Sequence, residues 1–286
     1  MDGFVNIIKP SGPTSHDIVY AVRRALPRKT KVGHAGTLDP MAEGVLVVAV
    51  GKATRALEYM DSSVKTYEAK LRLGVITDSQ DTTGEVAETR DASFVTEDML
   101  REVVESFKGE IEQIPPMVSA VKVDGRRLYK LAREGKTVER QPRKITVYDI
   151  SCRYGGGDAD LTVTCSSGTY IRTLCHDIGA KLGCGGAMSA LKRTRVGAFT
   201  YDRGITAEEF AAAEDKESLL LPIADALGDM PRKDLNDNEF LRICRGLEIR
   251  GEGEGLVLAL RDGKAAAICA AEEGVLRPRK VFAEAD

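Results

Sequence analysis

Gly33-His34-Ala35-Gly36-Thr37-Leu38-Asp39-Pro40-Met41-Ala42-Glu43-Gly44 runs directly into Val45-Leu46-Val47-Val48-Ala49-Val50. The unbroken apolar run, rich in β-branched residues, reads as a buried strand. Ahead of it, the glycines permit sharp turns and a close approach of main chain to a ligand. Pro40 favours an extended conformation at Asp39. A tight loop backed by a rigid strand is a construction that presents one carboxylate. An isolated Asp-Pro pair has a plainer reading, as a turn or a helix cap, and the rest of the chain has to decide between the two.

Outward from this block the pattern is mixed α and β. On the N-terminal side, Thr14 and Asp17 have capping-box spacing before Ile18, Val22 and Leu26. On the C-terminal side, residues 66–73 (TYEAKLRL) place Tyr67, Ala69, Leu71 and Leu73 on one face of a strand. Thr96 precedes a helix carrying Met99, Leu100, Val103, Val104 and Phe107. Residues 117–123 read as a strand and Asp124-Gly125 as a turn, leading into a basic helix through Leu128 and Leu131. Gly155-Gly156-Gly157 links residues 144–153 and 160–166 as a hairpin. Residues 170–182 read as a helix that stops at Gly183, and Thr206 with Glu209 forms another capping box.

The character changes after about residue 225. Gly246, the run GEGEG and LVLALRDGKAAAICA suggest a small β-rich module, with Asp262-Gly263 as a hairpin turn. A boundary is placed within residues 226–234, giving domains 1–228 and 229–286. The fold class is α+β: a mixed, largely antiparallel sheet with flanking helices, then a small β-barrel-like domain.

Composition narrows the function. The chain has 286 residues, 43% hydrophobic and 30% charged, which fits a globular protein that buries a core. No apolar run approaches the ~20 residues that span a bilayer, and the N-terminus lacks the basic-then-apolar pattern of a secretory signal. A cytoplasmic protein with no membrane association is the expectation. The six cysteines form no C-x-x-C pair, and the three histidines have no ligand-spaced partners, so neither a metal nor a cofactor is expected. Gly51-Lys52 lacks the earlier glycine of a P-loop, TDSQDTTG lacks EF-hand spacing, and no nucleophile elbow or dinucleotide fingerprint occurs.

Net charge is −3, yet it is segregated. Residues 23–31 carry +5, residues 122–144 carry +6, Lys192, Arg193 and Arg195 carry +3, and Arg277, Arg279 and Lys280 carry +3. Together these stretches hold +17, leaving −20 for the remainder. Such segregation makes a local anion-binding surface under an acidic average. Solvated loops are the plainer reading.

The whole Gly33–Leu46 block strongly resembles the TruB family of tRNA pseudouridine synthases. Four further stretches agree in the family's order: IIKPSGPTSHD with Lys9 and Pro10; KTYEAKLRLG with Tyr67; IPPMVSAVKVDGRRLYKLAREG; and SSGTYIRTLCHDIGAKLG with Tyr170 and Arg172, followed by SALKRTRVG with Leu191. Ile8 stands where relatives often carry Asp. The tail from about residue 230 resembles a short PUA domain, an RNA-binding module. The resemblance implies a pseudouridine synthase fold, isomerisation of uridine 55 in the tRNA T-loop, and no cofactor. It implies that Asp39 is the catalytic aspartate and that Arg172 pairs with it. His34, Tyr67, Tyr170 and Leu191 would line the uridine or adjacent RNA, and Lys9 of the first motif would contact RNA as well. Arg126, Arg127 and Lys130 are expected to contact tRNA phosphates, in a protein acting as a monomer.

The chemistry suits such a chain. Converting uridine to pseudouridine breaks an N1–C1′ bond and makes a C5–C1′ bond, without redox change. A carboxylate can attack the sugar or abstract a sugar proton to give a glycal; both routes stay open. Both need Asp39 ionised, which a neighbouring Arg172 favours. The Tyr67 ring can stack on an extruded base, its hydroxyl can move the C5 proton, or the residue can simply be core. Two rivals share parts of the pattern. An RNA chaperone needs the basic patches but no chemistry, and a nucleoside hydrolase needs the carboxylate but not a polymer.

Overall fold

The computed structural model describes residues 1–60, 64–117, 119, 122–123, 125–127, 134 and 138–284. Along the chain the elements are β1 (Gly3–Lys9), α1 (Ser15–Arg24), β2 (Val32–Ala35), β3 (Glu43–Val50), α2 (Leu57–Met60), β4 (Lys65–Leu73), β5 (Val75–Thr77), β6 (Val86–Thr89), α3 (Glu97–Glu105) and β7 (Gly109–Gln113). Then come β8 (Lys122–Val123), β9 (Arg126–Arg127), β10 (Arg143–Tyr154), β11 (Asp158–Cys165), α4 (Ile171–Leu182), β12 (Gly186–Val196) and β13 (Phe199–Thr200). The last are α5 (Ala207–Ala212), α6 (Ile223–Ala226), β14 (Arg232–Asp234), α7 (Asp237–Cys244), β15 (Ile249–Arg250), β16 (Gly255–Arg261), β17 (Lys264–Glu272) and β18 (Val275–Val281). The class is α+β with a largely antiparallel sheet, as the patterning indicates.

The chain divides into two compact units: residues 1–40, 45–61 and 197–286, and residues 41–44 and 62–196. In the first, β3 lies beside β1 and pairs antiparallel with β2. The side chains of Val45 through Val50 are fully buried. Helix α1 closes over this strand: Ile18, Val19 and Val22 share a core with Val5, Ile7, Leu46, Val48, Val50 and Phe210. Both expected capping boxes are present. Thr14 Oγ1 accepts from Asp17 N while Asp17 accepts from Thr14 N, and Thr206 with Glu209 does the same. Each satisfies two main-chain donors that a helix start leaves open.

The same unit holds a five-stranded sheet in the order β14-β16-β17-β18-β15. Its core is its own, built from residues including Leu235, Ile243, Val257, Ala267 and Leu276. Asp262 and Gly263 both take positive φ, 51° and 72°, the two-residue turn that matches the twist of paired strands. This C-terminal module fits a PUA-like domain. It is tied to the segment after β3 by Lys280–Glu58 at 2.7 Å, Lys52–Glu284 at 2.7 Å, and a donation from Arg55 Nη1 to Val281 O at 2.6 Å.

In the second unit the strands run β12-β4-β11-β10-β7, each neighbouring pair antiparallel. The first residues of β3 add a parallel pairing, Glu43 with Lys192 and Gly44 with Arg193. Strand β4 alternates as its sequence indicates, with Tyr67, Ala69, Leu71 and Leu73 buried. Helix α3 packs on β10 and helix α4 on β12. Helix α4 ends at Gly183 with φ 85°, as expected. Arg126 and Arg127 form β9, paired antiparallel with β8 across Gly125. Gly125 takes a positive φ of 77° and returns the chain as a hairpin, as the Asp-Gly signal indicates. Leu128, Lys130 and Leu131 lie outside the described residues. Among the described residues no helix is long and apolar enough to cross a membrane.

Candidate active site

Asp39 lies in the loop between β2 and β3, whose strands pair from Val32↔Val50 to Ala35↔Val47. The residue is half-buried. Both chain neighbours are anchored. Leu38 buries its side chain, and its main chain meets Ser15: the Leu38 N–H donates to Ser15 Oγ at 2.8 Å, and Ser15 Oγ donates to Leu38 O at 3.0 Å. On the other side, the Pro40 carbonyl accepts from Gly12 N at 2.7 Å and from Lys9 Nζ at 3.1 Å. Asp39 is therefore held between two pinned peptides, and Pro40 adds its own ring restraint on φ.

Lys9 departs from the expectation of a direct RNA contact. Its side chain is 0% exposed, and Nζ also donates to Pro10 O at 2.8 Å. A buried ammonium is tolerated because carbonyl oxygens replace water around it. Lys9 thus supports the loop. His34 sits on β2 opposite Val48, half-buried.

The remaining candidates belong to the second unit. Tyr67 on β4 is buried, opposite Val163 of β11 and Arg193 of β12, and Leu191 on β12 lies opposite Ala69. Tyr170 occupies the N-cap position of α4. Gln113, at the end of β7, grips its main chain from both sides: Tyr170 N donates to Gln113 Oε1 at 3.0 Å, and Gln113 Nε2 donates to Tyr170 O at 3.3 Å.

Arg172 is in the first turn of α4 and 5% exposed. Its Nη1 donates to Ser79 O at 3.2 Å and to Asp81 Oδ2 at 3.4 Å. Asp81 is itself buried, and its Oδ1 accepts from Ser79 Oγ, Thr83 N and Thr83 Oγ1. Thr173 Oγ1 adds a donation to Gln80 Oε1 at 2.8 Å. The turn after β5 is thereby docked onto the start of α4, and the guanidinium is oriented within a hydrogen-bonded carboxylate site. Sequence reading weighed TDSQDTTG only as a cation loop and missed this role. Ser15 and Gln113 were missed as well; their contacts span 23 and 57 residues of chain, and no spacing rule reports them.

The basic stretches differ in what they expose. Arg193 is 1% exposed and cannot meet a phosphate from within the core, whereas Arg195 is exposed. In the C-terminal cluster, Arg277 meets Glu248 at 2.9 Å and Lys280 meets Glu58, while Arg279 is exposed. Of the cysteines, Cys165, Cys175, Cys184 and Cys269 are buried. Burial pushes the Cys175 thiol up to about 12 and the Cys165 thiol up to about 11, so neither is poised as a nucleophile. Among the described residues no group of three His, Cys, Asp or Glu could hold a metal ion.

Comparison with known proteins places this arrangement. Residues 23–171 match the model of the TruB family pseudouridylate synthase N-terminal domain, and residues 172–228 match that of the tRNA pseudouridylate synthase B C-terminal domain. The tRNA pseudouridine synthase B of Heliobacterium modesticaldum is 43% identical over 99% of this chain and 96% of its own length. That of Symbiobacterium thermophilum is 49% identical over 86% of this chain and 83% of its own. Among solved structures, a chain of a Cbf5-Nop10-Gar1 complex superposes with a TM-score of 0.77 at 30% identity, covering 99% of this chain and 85% of that one. A chain of an H/ACA RNP bound to a substrate RNA containing 2′-deoxyuridine superposes with a TM-score of 0.76 at 26% identity, covering 99% and 86%. The chain belongs to the TruB family of pseudouridylate synthases, isomerases that turn uridine into pseudouridine.

Proposed function

We propose that this enzyme isomerises the uridine at position 55 of the tRNA T-loop, with Asp39 as its catalytic carboxylate. The observation that carries the assignment is the clamped loop: the main chain on either side of Asp39 is held by Ser15, Gly12 and Lys9. A reacting carboxylate needs such restraint, because a misplacement of ~1 Å can cost about 100-fold in rate. The names of the relatives support tRNA as the substrate.

The target base has to leave its stack to be reached, at a cost of a few kcal/mol. The N1–C1′ bond then breaks, the base turns, and C5 bonds to C1′. The proton on C5 is lost and N1 regains one, so composition is unchanged. Asp39 acts either by bonding to C1′ or by removing the C2′ proton to give a glycal. Arg172 serves to keep Asp39 ionised. Tyr67 and Leu191 wall the base, Tyr67 stacking on it or relaying the C5 proton, and His34 and Tyr170 contact neighbouring RNA. Arg126, Arg127 and Lys130 contact phosphates. Residues 229–286 form a separate RNA-binding domain directed at the acceptor-stem region.

The test is tritium release from C5-labelled uridine in an unmodified tRNA transcript. Asp39→Asn should abolish release while leaving tRNA affinity within about tenfold, or ~1.4 kcal/mol. Substantial residual turnover in that variant would defeat the assignment. Release of free uracil instead of pseudouridine would favour hydrolysis.

A further inference from the structure

We infer that Ser15 is a positioning residue for the reaction, acting on Asp39 through the Leu38–Asp39 peptide; this rests on the reading of Asp39 as the catalytic carboxylate. Ser15 opens helix α1 and is 2% exposed. Its neighbour Thr14 already caps the helix, so the Ser15 hydroxyl is not needed for that purpose. The hydroxyl instead turns to Leu38, 23 residues away, accepting from its N–H at 2.8 Å and donating to its carbonyl at 3.0 Å.

One hydroxyl thus satisfies both main-chain groups of the residue that precedes Asp39. The Leu38 carbonyl belongs to the same planar peptide as the Asp39 nitrogen, so fixing that oxygen fixes the plane from which the Asp39 side chain departs. The Leu38 side chain is buried and cannot swing to compensate. Helix α1 in turn is rigidly seated, with Ile18, Val19 and Val22 in the core under β3. The chain of restraint runs from core to helix, from helix to hydroxyl, and from hydroxyl to the peptide of the reacting carboxylate.

An alanine at position 15 leaves the helix cap and the core untouched but frees this peptide. Threonine keeps the hydroxyl. The experiment measures single-turnover pseudouridine formation with saturating enzyme, tRNA affinity, and thermal unfolding for the wild type, Ser15→Ala, Ser15→Thr and Asp39→Asn. Ser15→Ala should form product about 10–100-fold more slowly, the range expected for a displaced catalytic group. Its tRNA affinity should change by less than about threefold. Ser15→Thr should recover most of the rate. A wild-type rate in Ser15→Ala would overturn the inference, as would a rate loss matched by lost affinity, or a Ser15→Thr variant that is folded yet as slow as Ser15→Ala. The Asp39→Asn arm separates the two failures. Turnover there refutes the carboxylate, whereas an inert Asp39→Asn beside an unimpaired Ser15→Ala refutes only the positioning.

Discussion

Replacing Gly44 by alanine tests how the strand behind the loop is held. Gly44 has φ 111°, a backbone region that costs an L-residue ~1–3 kcal/mol. A Cβ added there would lie 2.2 Å from the Arg193 carbonyl oxygen, 2.8 Å from its nitrogen and 2.9 Å from its carbonyl carbon. All three are main-chain atoms, so no side-chain rotation relieves the contact. Strand β12 would have to retreat, breaking the pairing of Glu43 with Lys192 and of Gly44 with Arg193. On its other side β12 is held by β4, with Arg193 opposite Tyr67. Forcing atoms into such packing costs a further ~1–3 kcal/mol, about 2–6 kcal/mol in all. Calorimetry should show the melting temperature of Gly44→Ala lowered by at least about 4 °C, taking ~2 °C per kcal/mol for a chain of this size. The same variant should be slower in tritium release, because β3 begins where the Asp39 loop ends. A melting temperature within about 1 °C of wild type would show that the close approach is not a constraint.

Arg172→Lys keeps the charge but loses the planar fork that meets Asp81 and Ser79; turnover should fall by more than about tenfold, and a near wild-type rate in the tritium assay would refute the role. Neutralising Arg126, Arg127 and Lys130 together should flatten the salt dependence of tRNA binding by about 0.7–0.9 in log–log slope per lost contact, without changing which uridine is modified. Neutralising Arg277, Arg279 and Lys280 should do less, since two of the three already meet acids; binding titrations at several salt concentrations decide both, and unchanged slopes would place the RNA surface elsewhere. Burial raises the pKa of the Asp177 carboxyl above its usual 3.8. Protonation is therefore favoured in the fold, and the stability this group contributes is present below pH ~3.8 and lost as pH rises through the folded value. Asp177→Asn should accordingly be more stable than wild type to urea at neutral pH, with the gain vanishing in acid; equal stability at neutral pH would contradict the burial effect.

The sequence by itself determined what depends on near neighbours. Thr14 with Asp17 and Thr206 with Glu209 are capping boxes because donor and acceptor lie three residues apart in any helix start. The alternation of β4 and the Asp262-Gly263 turn follow from strand period and from the positive φ that such turns require. The family motifs around Asp39, Tyr67, Tyr170 and Arg172 were likewise readable, because they are contiguous. What only the tertiary structure decided depends on pairing across the chain. Arg193 looked like one more surface cation, but β12 turns it into the core beside Gly44. Lys9 looked like an RNA contact, yet it is buried with its ammonium on the Pro40 carbonyl. Ser15, Gln113 and Asp81 carry no local signature, since each acts through a group 23 to 91 residues distant. Side-chain type and spacing set which hydrogen bonds are available, while sheet order and helix seating set which of them are made.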